Sequence, residues 1–154
     1  MASRDILNLT PETQEKFREF EMRMGEAALP FIVTCTSRSV VEQDALYSQG
    51  RCSLWMVNRI RGMAGMQPIT IEQNARPVTW TMVSRHIVNE RNPLSEAFDI
   101  ALTRPDRVHW DLKIDVNGNE IPDYLEAARI GLKCGLVPGA YFTKPDYCHF
   151  QNSK

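Results

Sequence analysis

Hydrophobic positions along the chain fall into two rhythms, one helical and one alternating. Near the front, Thr10-Pro11-Glu12 reads as a helix start. Thr10 can cap, Pro11 suits the first turn, and Glu12 complements the helix dipole. Phe17, Phe20 and Met24 then recur at helical spacing and predict a core-facing stripe. Residues 31–36, rich in β-branched side chains, predict a buried strand. A second helix is expected over 40–49, with Gly50 as its stop.

The run 78–83, Val-Thr-Trp-Thr-Met-Val, predicts a strand that delivers His86 at its end. Residues 97–102 predict another, with Asp99 directed to one face. A helix is expected from near Pro122 to Lys133, followed by Gly135, and closing strands at 141–142 and 147–151. Residues 51–77 mix Trp55, Met56, Ile60, Met63 and Met66 with glycines and arginines. They predict a long functional loop around a short helix, its apolar residues forming local core in preference to a substrate platform. There is no repeat, low-complexity segment or linker. The pattern predicts an α+β fold: a small single domain over 1–154, a mostly antiparallel sheet carrying the site, and flanking helices.

Composition narrows the function classes. The 154 residues suit one domain with a real core, and 43% hydrophobic with 24% charged residues is ordinarily globular. A net charge of -1 argues against a nucleic-acid partner, which needs a basic patch. No apolar run is long enough to insert in a membrane. The polar start, Met1-Ala2-Ser3-Arg4-Asp5, lacks a signal peptide's apolar stretch, so synthesis and retention in the cytoplasm are expected. Cys35, Cys52, Cys134 and Cys148 form no Cys-x-x-Cys pair and are expected to be thiols. Cys148 is expected to be a small buried residue in a strand, facing away from His149.

The chemistry lies in three short motifs. Asp146-Tyr147-Cys148-His149-Phe150 places an acid three positions before a histidine. Ser84-Arg85-His86 and Ala97-Phe98-Asp99-Ile100 add an imidazole and a carboxylate. His86, Asp99 and His149 together suit a three-ligand zinc site with an open fourth position, the mark of a catalytic rather than structural site. Asp146 is then the spare carboxylate that takes the proton of the attacking water. Arg38, directly after a strand, is the candidate cation for substrate or for a developing oxyanion. His109, beside Trp110, is read as a hydrogen-bonded structural histidine.

Taken together, Ser84-x-His86, Ala97-Phe98-Asp99 and Asp146-x-x-His149 resemble the zinc peptidase family that includes the VanY and VanX D,D-peptidases and the phage L-alanyl-D-glutamate endolysins. Ser3-Arg4-Asp5, Thr36-Ser37-Arg38-Ser39 and the block from Glu42 to Arg51 are similar to the endolysin branch. The resemblance covers nearly the whole chain. It implies a Hedgehog/D,D-peptidase-like fold, zinc on His86, Asp99 and His149, Asp146 as catalytic base, and Arg38 in contact with substrate. Gln43 and Ser84 fall in the same blocks and are expected either to line the cleft or to serve as a helix-surface amide and a turn hydroxyl. Twelve residues separate His86 from Asp99, more than is usual in the family, and this leaves Glu90 and Glu96 as alternative ligands. Asp99 is preferred because 97–101 keeps the alternation of a strand.

The resemblance further implies a peptidoglycan partner, a monomer without a separate wall-binding domain, and release to the host cell wall through a membrane pore. The leading expectation is a peptidoglycan endopeptidase cutting L-alanyl-D-glutamate. A D-alanyl-D-alanine carboxypeptidase and a non-catalytic wall-binding module are the competing readings. A second cation site is also expected as an alternative to a plain turn: Asp115, Asn117, Asn119, Asp123 and Glu126 have the oxygen spacing of a calcium loop. Glu120, however, stands where that pattern wants glycine.

Overall fold

The computed structural model describes residues 2–153. Helix α1 (Pro11–Glu26) begins as expected: Thr10 accepts from the Thr13 backbone N–H, with Pro11 in the first turn. Strand β1 (Phe31–Cys35) is followed by α2 (Val40–Ser48) and α3 (Leu54–Met63). Ser39 and Glu42 form a reciprocal capping box that fixes the start of α2. A long irregular stretch leads to β2 (Ala97–Arg104) and β3 (Arg107–His109). Helix α4 (Asp123–Lys133), β4 (Leu136–Pro138) and β5 (His149–Asn152) complete the described chain. Among the described residues, no helix is long and apolar enough to cross a membrane.

The five strands form one antiparallel sheet in the order β1-β2-β5-β4, with β3 also on β2. The fold is α+β. Strand alternation divides the sheet into an apolar and a polar face. Phe98, Ile100 and Leu102 of β2 and Phe150 of β5 join Phe17 and Phe20 of α1 in the core. Phe98 sits edge-on to Phe17 at 4.9 Å between ring centroids and stacks on Phe150 at 5.5 Å. Tyr124, Ala127 and Ile130 bring α4 into the same cluster. Burying a ring of this size is worth about 1.5–3 kcal/mol, so this aromatic layer anchors both central strands. Asp99 and His149, each one residue out of phase with the core positions, face the other side.

Strand β1 departs from simple alternation. Val33 pairs with Ile100, but Cys35 pairs with Asp99, so Thr34 is an extra residue in the ladder. Such a bulge re-aims the side chains after it. Phe31 and Val33 pack on the core, whereas Cys35 is turned to the Asp99 face.

Three sequence expectations are corrected. Residues 78–83 are not a strand but a chain of bends. Among the described residues they pair with no strand, and threonine hydroxyls take the place of ladder partners: the Val83 N–H donates to Thr81 Oγ1 at 3.0 Å. Their apolar side chains stay exposed, Trp80 by 62% and Val83 by 85%. Residues 51–77 hold the ten-residue helix α3 packed on α2, and Trp55 and Met63 are exposed rather than local core. The strand expected at 141–142 lies earlier, at β4, because Gly135 at φ 74° turns the chain straight out of α4; residues 139–141 form a short 3-10 turn.

Candidate active site

The polar face of the sheet carries one lateral row of side chains. Cys35 on β1, Asp99 on β2 and His149 on β5 are successive register partners. His86 comes to this row from the irregular stretch. Its backbone carbonyl accepts from the Arg38 N–H at 2.9 Å, and the Val88 N–H donates to the Arg38 carbonyl at 3.0 Å. These two bonds tie the His86 segment to the chain just beyond β1. His86 Nδ1–H donates to the Thr36 carbonyl at 2.9 Å, which leaves Nε2 for the row.

Three donor atoms converge there. His86 Nε2 lies 3.0 Å from Asp99 Oδ1 and 3.1 Å from His149 Nδ1, and His149 Nδ1 lies 3.0 Å from the same oxygen. Four-coordinate zinc with bonds of 2.0–2.1 Å separates its ligand atoms by about 3.3 Å. A spreading of a few tenths of an ångström would therefore admit one ion. Orientation from behind also fits: His149 Nε2–H donates to Gln151 Oε1 at 3.1 Å, as Thr36 holds His86. Ligating imidazoles are commonly oriented by such bonds on the far nitrogen. Cys35, His86 and Asp99 form an alternative donor group, with Cys35 Sγ 3.8 Å from His86 Nδ1. That nitrogen already donates to Thr36, so the Nε2-centred triangle is the better-arranged set.

Charge is concentrated in this cluster. Burial alone would lower the His86 pKa, but the Asp99 carboxylate outweighs it and raises the value to about 10. Burial would likewise raise Asp99, yet the charge of His86 and hydrogen bonds from both histidines hold it well below the usual carboxylate range. Arg38 adds a second cation: Nη2 donates to Asp99 Oδ2 at 3.2 Å and to Cys35 Sγ at 3.3 Å. Asp99 thus serves one arginine and two imidazoles at once.

The triangle opens into a cavity of about 950 Å³, lined by Arg38, Ser84, His86, Asp99, Phe142, Asp146 and His149 among others. Asp146 is exposed there, and its carboxylate accepts from the Cys148 thiol at 3.0 Å. Burial and the nearby Asp99 and Asp146 charges push the Cys148 thiol strongly up, so it stays neutral. Cys148 therefore precedes β5 and faces Asp146, rather than sitting inside a strand opposite His149. The turn holding Asp146 rests on Gly139: the Asp146 N–H donates to the Gly139 carbonyl at 2.9 Å. A Cβ at 139 would stand 2.4 Å from the Asp146 carbonyl oxygen and 3.0 Å from His149 Cβ. Only glycine permits that approach.

The sequence-predicted residues thus divide. His86, Asp99, His149 and Arg38 are brought together, and Asp146 and Ser84 line the same cavity. Ser84 Oγ also accepts from the His86 N–H at 3.3 Å, the turn-hydroxyl role. Gln43 neither lines the cavity nor lies on a helix surface. It is 1% exposed, accepts from Arg38 Nη1 at 3.4 Å and donates to the Thr81 carbonyl at 2.6 Å. Glu96 lines the cavity but pairs with Arg85, and Glu90 lies outside it, so neither replaces Asp99. No residue of 51–77 lines the cavity. Sequence reasoning missed Cys35, hidden by the bulge, and Gly139. It also missed Gln151, although a residue two positions after His149 in a strand shares its face.

The whole described chain is built like a solved peptidase. It is similar to the crystal structure of the Serratia marcescens L-Ala D-Glu endopeptidase ChiX at a TM-score of 0.57 and 17% identity, covering 99% of this chain and 89% of that one. At this identity the likeness shows the fold. No family model matches the sequence, and no curated protein matches it.

Two outlying features complete the picture. In the 115–126 loop, Asp115 accepts from the Gly118, Asn119 and Glu120 N–H groups, at 2.7 Å for Gly118 and Glu120. Asp123 accepts from Val116, and Glu126 from the Asn117 amide. Asn119 Oδ1 accepts from Ile121. Glu120 does take the left-handed conformation, φ 67°, that glycine would take at lower cost. His109 is buried, but its ring nitrogens make no hydrogen bond; Nε2 lies 3.6 Å from Asp123 Oδ2 and the ring meets Tyr124 edge-on. It is held by packing against Tyr124 rather than by the hydrogen bond expected.

Proposed function

We propose that this chain is a zinc-dependent peptidoglycan peptidase of the phage endolysin type, cutting the L-alanyl-D-glutamate amide of the stem peptide. The observation that carries this reading is the triangle of His86 Nε2, Asp99 Oδ1 and His149 Nδ1, with sides of 3.0–3.1 Å, opening into a cavity beside the exposed Asp146. The L-Ala D-Glu endopeptidase that shares the fold supports the choice of bond.

In this reading His86, Asp99 and His149 hold zinc. Bound zinc supplies Lewis acidity toward a carbonyl and a water. Asp146 accepts the proton of the attacking water and returns it to the leaving amine nitrogen. Arg38 fixes Asp99 through Oδ2 and puts positive charge at the cavity wall, where it offsets charge developing on the carbonyl oxygen. Gln43 buttresses Arg38 from behind. Because Arg38 is engaged with Asp99, it is poorly free to grip a terminal carboxylate, which favours the endopeptidase over the D-alanyl-D-alanine carboxypeptidase. Calcium in the 115–126 loop would share oxygens that already accept backbone N–H groups; a calcium titration that leaves thermal stability unchanged removes it from the proposal.

The test is mass spectrometry of purified peptidoglycan after digestion with zinc-loaded protein. Loss of the stem peptide after L-alanine, with a new amino group on D-glutamate, is the expected product. Asp146→Asn should cut kcat by about 10²–10⁴-fold while zinc binding is kept. Release of terminal D-alanine alone moves the chain to the carboxypeptidase reading. No product from protein that binds both zinc and cell wall leaves a binding module.

A further inference from the structure

Among the arginines and carboxylates lining the cavity, two pairs are matched. Arg38 pairs with Asp99, and Arg85 pairs with Glu96. Two are left over. Asp146 meets the Cys148 thiol but has no ion pair among the described residues, and Arg91 likewise has none. Arg91 lies in the long segment between His86 and Asp99, and it forms the cavity wall with Asn92, Pro93 and Leu94.

That wall is built rather than loose. Asn89 Oδ1 accepts from the Arg91 N–H at 2.9 Å and from the Asn92 N–H at 3.0 Å, and the Asn89 N–H donates to the Asn92 carbonyl. The side-chain oxygen of an asparagine closing a turn in this way fixes the backbone of the residues after it. Further along, the Ser95 hydroxyl donates to the Arg85 carbonyl, and the Glu96 N–H donates to the same carbonyl at 3.1 Å. Both ends of the segment are therefore pinned, and Arg91, without an ion pair among the described residues, lines the cavity. A guanidinium offers a planar fork matched to a carboxylate.

We propose that Arg91 is a substrate-anchoring residue that binds a free carboxylate of an anionic peptide lying in the cavity. The inference rests on the peptidase reading and deepens it: the segment between His86 and Asp99 then selects substrates with a carboxylate beside the cut amide.

The test compares a tripeptide containing L-Ala-D-Glu with the same peptide amidated at the free glutamate carboxyl. KM and kcat are measured with wild type, Arg91→Ala and Arg91→Lys. Kd for both peptides is measured by calorimetry on the same proteins carrying Asp146→Asn, loaded with zinc. Arg91→Ala should raise KM and Kd for the acid peptide about tenfold with kcat little changed. It should leave the amidated peptide, already weak with wild type, unaffected. Arg91→Lys should recover part of the loss. Equal loss for both peptides, or no loss, overturns the proposal while leaving the peptidase reading standing. Arg91-dependent binding of the acid peptide without cleavage by wild type overturns the peptidase reading and keeps the carboxylate site. Binding of neither peptide overturns both.

Discussion

The site draws on two regions that hold their side chains by different means. Asp99 and His149 stand on adjacent strands in register, above the layer of Phe98, Phe150, Phe17 and Phe20. Their positions follow from the ladder and the core. His86 stands on an irregular stretch, held by backbone bonds to Arg38, by the Thr36 carbonyl, and indirectly by Gln43 on Thr81. The difference teaches where robustness lies. The strand-borne donors share the stability of the core, whereas the loop-borne donor depends on a few polar contacts that can open locally.

The hardest way to break the contrast is from below. Phe98→Ala should cost about 3–5 kcal/mol, read by denaturant unfolding, and should take the whole site down with the sheet. If zinc binding fell while stability held, the core would not be what supports the strand row.

The tie between the two regions is electrostatic. In the metal-free protein, His86 has a pKa raised from 6.5 to about 10 and so stabilises the fold fully below pH 6.5. That contribution is lost as pH rises through the folded value. Asp99 has its pKa lowered, so its contribution is present above its ordinary value of 3.8 and is lost as pH falls toward the folded one. Thermal unfolding with a chelator should therefore show stability declining from pH 6.5 to 10, and His86→Gln should flatten that decline. A pH-independent Tm over that window would contradict the ion pair.

Behind the strand row, Gln151→Leu removes the acceptor for His149 Nε2–H without touching the core. Zinc affinity by competition titration should fall about tenfold to a hundredfold, with the unfolding midpoint nearly unchanged. The smallest expected effect is on the loop. Gln43→Ala should cost about 1–3 kcal/mol. Hydrogen exchange should speed up first around Thr81 and His86, ahead of β2 and β5. Uniform acceleration would mean that the two regions open together.

Much of this was legible in the sequence, for physical reasons that also explain the failures. Thr10-Pro11 and the Phe17-Phe20-Met24 stripe are local signals, and α1 lies where they place it. Asp99 and His149 are adjacent to core phenylalanines, so period-two alternation puts both on the opposite face. The run 78–83 has equally strong strand composition, yet a strand needs a partner, and among the described residues it pairs with none. Cys35 was hidden because the extra Thr34 reverses the alternation that would bury it with Val33. Gly139 matters through contact with Asp146, a closeness that exists only once the chain has turned back on itself.

The bulge at Thr34 also alters the chemistry of the site. It turns a sulfur atom toward a pocket whose other donors are nitrogen and oxygen, with Cys35 Sγ near His86 and Asp99. Thiolate favours soft cations such as cadmium, whereas imidazole and carboxylate suit harder ones, so one extra residue in a strand changes the kind of donor atom facing the pocket. Cys35→Ser would return that position to oxygen.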